Sequence, residues 1–302
     1  MSLWLLFALL ARLFWAGTNA TDQILSRIHP KHATMAAIIL GYLCYLPFAG
    51  AILVFAPPFA VTLPYILYCM GGAFCSAVAC VPYFRVLQRH EAYDTTPYFE
   101  LTPVFLIGLS FLLKGEVLDA AQLAGAAIVI VSGFLFSWDF ERGHFRLRIL
   151  AQLSLSCLMW AFYLYCMSQA EALAGVWGAT LGFYTCLIGV GFALLLIYRD
   201  VSQVIVATFT ASKGVSLGLA LGTTILEFLG LCSLLLAFHY APTIGHVAAL
   251  SGTQPVFSFL LAVVLGKCCS AHYAKMTVDH AMAAKLFLIA CIAGGVYLLS
   301  SG

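Results

Sequence analysis

Two ionisable side chains, Arg12 and Glu227, lie near the middle of long apolar stretches of the sequence. A charged residue at the centre of a membrane helix costs about 2.5–3.5 kcal/mol on insertion scales, so each such residue calls for an explanation. A guanidinium can bind a carboxylate, and a carboxylate can bind an ammonium group. The two side chains could therefore hold a zwitterion, such as an amino acid, between them. Alternatively, they form a structural ion pair that meets no ligand.

Three other polar residues interrupt apolar stretches. Glu100 could take a coupling proton, because carboxylates inside membrane proteins often belong to proton relays. Alternatively, Glu100 reaches Arg85 or Arg89 at the membrane surface. Asn19 and Asp22 stand near the end of the first apolar stretch. For these two we expect hydration at the membrane surface.

Aromatic side chains could stack on a ring-bearing ligand in the same region. The candidates are Trp15, Trp160, Tyr163 and Tyr165. Aromatic residues of membrane helices more commonly face lipid or pack against other helices, so this alternative stays open.

Metal and nucleotide motifs are absent from the sequence. His239 and His246 flank a turn without the further ligands that a zinc site needs. There is no HExxH motif and no GxxxxGKS phosphate-binding loop. We therefore expect no metal, no cofactor and no direct use of ATP.

The composition predicts the secondary structure that positions these residues. Of 302 residues, 63% are hydrophobic and 9% are charged, whereas a soluble domain carries roughly 25% charged residues. Only helices and closed barrels span a bilayer, and barrel strands alternate apolar and polar residues. The stretches here are apolar on every side, so they predict helices. The net charge of +2 gives no indication of nucleic-acid binding.

Segments of about 20 apolar residues are long enough to span a bilayer. Ten segments meet this length, and the fold class predicted is an all-α integral membrane protein with ten transmembrane helices. They are 3–24, 33–55, 65–87, 95–113, 120–137, 149–169, 176–198, 215–238, 244–265 and 281–300. The boundary near 171–175 is the least marked, and the segment 199–214 is expected to lie flat in the interface.

The two halves of the chain repeat each other. Leu13-Phe14-Trp15-Ala16 resembles Leu158-Met159-Trp160-Ala161, and Thr102-Pro103-Val104-Phe105 resembles Gln254-Pro255-Val256-Phe257. Each half, 1–148 and 149–302, then holds five spans. Because five is odd, the second half must enter the membrane from the opposite side, which is the inverted repeat of many secondary transporters.

Lys and Arg residues indicate the orientation. The loops after odd-numbered spans hold eleven of them, and the loops after even-numbered spans hold only Lys114. Cytoplasmic loops carry the excess of Lys and Arg. Both termini are therefore predicted outside the cytoplasm, in the plasma membrane or, in a bacterium, the inner membrane.

With its ten spans, its Trp-Ala and Pro-Val-Phe pairs and the sequence Gly115-Glu116, the chain resembles the EamA family of the drug/metabolite transporter superfamily. The resemblance implies alternating access around a central cavity that spans one and eight both face. It also implies cytoplasmic termini in many members, opposite to the charge bias here. The candidate substrate-binding or coupling residues are Arg12, Trp15, Glu100, Trp160, Tyr163, Glu227 and Gln254.

The function predicted is secondary transport of a small polar or amphipathic metabolite such as an amino acid, by an exporter or exchanger. Protons are the expected coupling ion if the transport is coupled, and the chain is expected to be a monomer or homodimer in the bilayer. Two alternatives stay open: an enzyme embedded in the membrane, and a membrane scaffold without transport. The short loops and the missing catalytic motifs make both less attractive.

Overall fold

The computed structural model of the chain consists largely of α-helices in the part that it describes. It describes residues 2–28, 33–87, 99, 101–136, 147–198, 215–268 and 280–300. The helices are α1 (Leu3–Ile28), α2 (Ala33–Leu43), α3 (Leu46–Phe55), α4 (Leu63–Leu87), α5 (Leu101–Lys114), α6 (Ala120–Phe136), α7 (Leu147–Ile197), α8 (Val215–Tyr240), α9 (Ile244–Ala249), α10 (Gln254–Cys268) and α11 (His280–Ser300). A 3-10 helix, Leu250–Thr253, joins α9 to α10.

Six helical stretches of the described chain are long and apolar enough to cross a membrane. They are Leu3–Asp22, Ile38–Phe55, Leu63–Val86, Ala151–Ile197, Leu217–Tyr240 and Ile244–Leu261. Three shorter apolar helices are Leu101–Lys114, Ala120–Gly133 and Phe287–Leu299. Within these ranges the prediction of a helical integral membrane protein is confirmed.

Two of the predicted spans contain a break in the helix. The second span divides between Leu43 and Leu46, because Pro47 lies at the start of α3 and cannot donate a backbone hydrogen bond. The ninth span divides at the 3-10 helix, and Pro255 follows it in the same way. In both spans the preceding helix ends shortly before the proline, and a new helix begins there.

The predicted boundary near 171–175 is a break inside α7. Gly175 has φ 66° and ψ 177°, a backbone conformation that glycine adopts without steric cost. The two parts are named α7a (147–174) and α7b (176–197). Gly175 thus separates the predicted sixth and seventh spans.

The turn between α5 and α6 is held by Glu116. Gly115 has φ 67°, so the predicted turn at 114–116 is confirmed. The Glu116 carboxylate accepts a hydrogen bond from Ser110 Oγ. It also accepts one from the backbone N–H of Ile244, at 3.0 Å, and so caps the first turn of α9 in the second half of the chain.

Three helix pairs form the framework around the site: α1 packs on α8, α4 packs on α7, and α6 packs on α11. The backbones of α6 and α11 approach each other closely. A Cβ atom added to Gly125 would lie 2.7 Å from the carbonyl oxygen of Gly295. Only glycine permits this backbone contact between α6 and α11.

Some predictions fall outside the described residues. They are the interfacial segment 199–214, the beginning of the fourth span before residue 99, and the position of Glu100.

Candidate functional site in a cavity between helices

A cavity of about 190 Å³ lies between helices from both halves of the chain. Helices α1, α2, α4 and α5 of the first half line it together with α7a, α8, the 3-10 helix and the first residue of α10 of the second half. A single water needs only about 10–15 Å³ of such volume. The cavity can therefore hold a small molecule or several waters.

Six of the seven candidate residues line this cavity. They are Arg12, Trp15, Trp160, Tyr163, Glu227 and Gln254. The seventh, Glu100, lies outside the described residues. Tyr165 is not among the residues that line the cavity. The structure thus brings together residues that lie more than 200 positions apart in the sequence.

Arg12 and Trp15 form one wall. Arg12 is only 4% exposed, and its Cζ atom lies 5.0 Å from the centre of the Trp15 ring. A guanidinium at this distance from an indole face is stabilised by a cation–π interaction. The Trp15 ring in turn lies against Gly230 of α8, where an added Cβ would be 2.8 Å from Trp15 Nε1.

Glu227 enters the cavity from α8. It lies one helical turn before Gly230, so the two residues share a face of α8. That face of α8 contacts Trp15 of α1, which places the Glu227 carboxylate close to the indole ring. A cationic residue and an acidic residue from the two halves therefore line the same cavity.

Asp22, Asn19 and Tyr83 form a polar cluster that the sequence analysis missed. The Tyr83 hydroxyl donates to Asn19 Oδ1 at 3.1 Å and to Asp22 Oδ2 at 3.2 Å. Asp22 is only 7% exposed. The expectation that Asp22 is hydrated at the membrane surface is therefore wrong, because Asp22 is buried against Tyr83 of α4.

A signal in the sequence does indicate this cluster. Arg12, Trp15, Asn19 and Asp22 are separated by three, four and three residues. Residues at this spacing lie on one face of a helix. A polar and aromatic stripe on an otherwise apolar helix predicts that the stripe faces other helices or a cavity rather than lipid.

Aromatic rings cover the cavity beside Asp22. The ring centroids of Tyr83 and Trp160 are 5.2 Å apart, and those of Phe99 and Trp160 are 5.4 Å apart, both nearly perpendicular. Such edge-to-face pairs are favourable. Trp160 therefore both packs against other helices and lines the cavity, which reconciles the two interpretations of the membrane aromatics.

Neither His239 nor His246 lines the cavity, and the two contact different partners. His239 Nδ1 is 2.9 Å from Glu171 Oε1, and His246 Nδ1 is 2.8 Å from Thr243 Oγ1. Among the residues with described positions, no group of three or more His, Cys, Asp or Glu side chains could hold a metal ion.

Comparison with known proteins gives a family match over the first part of the chain and a similar fold over nearly all of it. Residues 2–138 match the model of the EamA-like transporter family. None of the curated proteins compared with the chain matches it. One solved structure, titled only "Crystal structure of protein", is 15% identical and has a TM-score of 0.66. The match covers 98% of this chain and 96% of the other, so the two chains share a fold over nearly their whole length.

Proposed function

We propose that the chain is a secondary transporter of a small polar or amphipathic metabolite such as an amino acid. Residues 2–138 match the model of the EamA-like transporter family, a membrane transporter family of the drug/metabolite transporter superfamily. The observation that carries this proposal is the cavity, which Arg12 and Glu227 line from different halves of the chain. A carboxylate would bind Arg12, and an ammonium group would bind Glu227.

The transporter would consist of ten membrane spans in two halves of five. The break at Gly175 would divide α7 into two of these spans. The shorter apolar helices α5, α6 and α11 would be the fourth, fifth and tenth spans. Residues 1–148 and 149–302 would then be the two repeats.

The helix packing supports an inverted repeat. Span one packs on span eight, and span six packs on span three, so exchanging the halves converts one pair into the other. Trp15 contacts Gly230 of α8, and Trp160 contacts Tyr83 of α4 in the corresponding pair. The fifth span packs on the tenth, its own counterpart. This is the pattern expected of a two-fold axis in the membrane plane.

Alternating access would expose the cavity first to one face of the membrane and then to the other. Rocking of one half against the other is the usual route in inverted-repeat transporters. Export or exchange is the direction we propose, with protons as the coupling ion. Glu100 remains the candidate for the proton-coupling residue.

The test is transport by the purified full-length chain in liposomes. Radiolabelled amino acids and other small metabolites would be offered as a panel, with counterflow as the assay. We expect saturable counterflow of at least one amino acid. Glu227→Gln and Arg12→Gln should each reduce it by about 10- to 100-fold, the usual loss for a hydrogen bond to a charged group.

The matched control is Lys114→Gln, which also removes a charge but lies at the end of α5 and does not line the cavity. It should transport like the unchanged protein. Normal transport by both cavity variants, with normal insertion, would overturn the proposed roles of Arg12 and Glu227. Transport of no member of the panel would count against the function itself.

A further inference from the structure

Arg12, Glu227 and Asp22 lie at three different levels along the axis of α1. Helices α1 and α8 run antiparallel, since Thr223 Oγ1 donates to Thr21 Oγ1 at 2.7 Å while Trp15 lies against Gly230. Between these contacts, a Cβ at Gly17 would lie 3.1 Å from Leu226. Glu227, the next residue after Leu226, is therefore level with the middle of the α1 stripe.

The spacing of the three charges follows from this register. A helix rises about 1.5 Å per residue, so Asp22 lies about 15 Å beyond Arg12 along α1. Glu227 lies between them, about 7 Å from each along the same axis. The order along the cavity is thus a guanidinium, a carboxylate and a second carboxylate.

In the cluster around Asp22, two acceptors share one hydroxyl donor. One Tyr83 hydroxyl proton lies between Asn19 Oδ1 and Asp22 Oδ2. It cannot fully satisfy an amide oxygen and both carboxylate oxygens at once. Tyr83 is only 4% exposed, and all three residues line the cavity. A buried carboxylate that shares its hydroxyl donor with an amide oxygen therefore faces the cavity, and a carboxylate there suits a cationic donor.

Aromatic rings next to the cluster favour the same kind of group. Phe99 and Trp160 line this end of the cavity together with Tyr83. An ammonium or guanidinium group over such a ring gains a cation–π interaction, more so when it is removed from water. Neutral ligand groups gain no comparable electrostatic term from Asp22.

We propose that the Asp22 end of the cavity binds a distal cationic group, and that the substrate is a zwitterion with a second cation, the chemistry of a basic amino acid. This inference rests on the proposed function, since it assigns a substrate class to the same cavity. The carboxylate would bind Arg12, the α-ammonium Glu227 and the distal cation Asp22. With bonds of about 1.5 Å, an extended side chain of four methylene groups places its terminal nitrogen about 6–7 Å from the α-nitrogen.

The first test uses the unchanged protein in liposomes. Lysine, Nε-acetyllysine and norleucine would compete for the uptake of a labelled amino acid that the chain transports. Lysine should compete about 10- to 100-fold more strongly than Nε-acetyllysine, the effect of one hydrogen-bonded charged group. This comparison needs no substitution, so it stands even if a variant fails to fold.

The second test locates that preference. Asp22→Asn should lower the preference for lysine over Nε-acetyllysine by a similar factor, and Asp22→Glu should keep most of it. Glu171→Gln is the matched control, because it removes another buried carboxylate, one that lies outside the cavity and beside His239. It should keep the preference unchanged.

The outcomes separate this inference from the proposed function. If the chain transports no amino acid, the proposed function fails and this inference fails with it. If neutral amino acids are transported without preference for lysine, only the cationic subsite is wrong. If Asp22→Asn lowers transport of all three compounds equally, Asp22 acts in coupling or folding, and the subsite is again wrong.

Discussion

At the scale of single residues, the site depends on small side chains as much as on charged ones. Trp15 can lie beside Glu227 only because residue 230 of α8 is glycine. The same indole supports the Arg12 guanidinium at 5.0 Å. The position of the one cavity arginine is therefore set partly by a residue that carries no chemistry of its own.

Gly230→Ala tests this dependence. The new methyl group would lie 2.8 Å from Trp15 Nε1, which is closer than van der Waals contact, so the ring must move and disturb Arg12. We expect substrate affinity to fall about tenfold, a cost of about 1.4 kcal/mol that is typical of overpacking. Binding titrations followed by tryptophan fluorescence would measure it.

The control for this prediction lies on the same helix. A Cβ at Gly222 would meet nothing within 4 Å, and alanine is favoured over glycine inside a helix by about 1 kcal/mol. Gly222→Ala should therefore bind normally and unfold at an equal or higher temperature. Equal affinity of the two variants would contradict the role given to Gly230.

At the scale of helices, proline and glycine residues mark where the spans break. The Glu116 carboxylate, in the turn after α5, connects the two halves of the chain. The ninth span is divided before Pro255, and its 3-10 segment brings Ser251 and Gln254 to the cavity. The start of that span is held by Glu116, which belongs to the turn after α5. The Gly115-Glu116 pair thus has a structural role that the sequence alone did not reveal.

Glu116→Ala should destabilise the protein by about 1–3 kcal/mol. It removes the acceptor for Ser110 Oγ and for the Ile244 N–H, and hydrogen bonds to charged groups contribute in this range. The midpoint of thermal unfolding in detergent is the measurement.

Lys114→Ala is the comparison, because Lys114 pairs with the same carboxylate at 3.6 Å across a partly exposed contact. Pairs of this kind contribute about 0–1 kcal/mol. If both variants unfolded at the same temperature, the capping of α9 by Glu116 would have no measurable effect.

At the scale of the whole molecule, orientation in the membrane follows from the distribution of charge. Eleven Lys and Arg residues follow odd-numbered spans and one follows an even-numbered span. The prediction is that the N-terminus and the C-terminus both lie outside the cytoplasm. No contact inside the protein fixes this property, because inverting the whole molecule preserves every contact.

Reporter fusions would measure the orientation. An enzyme that is active only outside the cytoplasm, fused to either terminus, should be active, and a fluorescent protein that folds only in the cytoplasm should stay dark. A reporter placed after residue 142 should give the opposite pair of results. Cytoplasmic termini would show that the charge bias does not set the topology here.

Much of the fold and part of the site could be predicted from the sequence. Long apolar stretches predicted membrane helices, because a backbone in lipid has no water to bond with and a helix satisfies its hydrogen bonds within one segment. Arg12 and Glu227 stood out because a charge in such a stretch is costly wherever it points. The turn at Gly115 and the break at Gly175 followed from glycine in the same local way.

Only the tertiary structure decided which residues meet. Lipid and the helix interface are both apolar, so most of these helices carry no clear stripe to show which face points inward. For that reason the contact of Tyr83 with Asp22, and that of Glu116 with Ile244, could not be read from spacing. Both depend on how helices from distant parts of the chain pack, and that packing makes one cavity out of residues that the sequence leaves scattered.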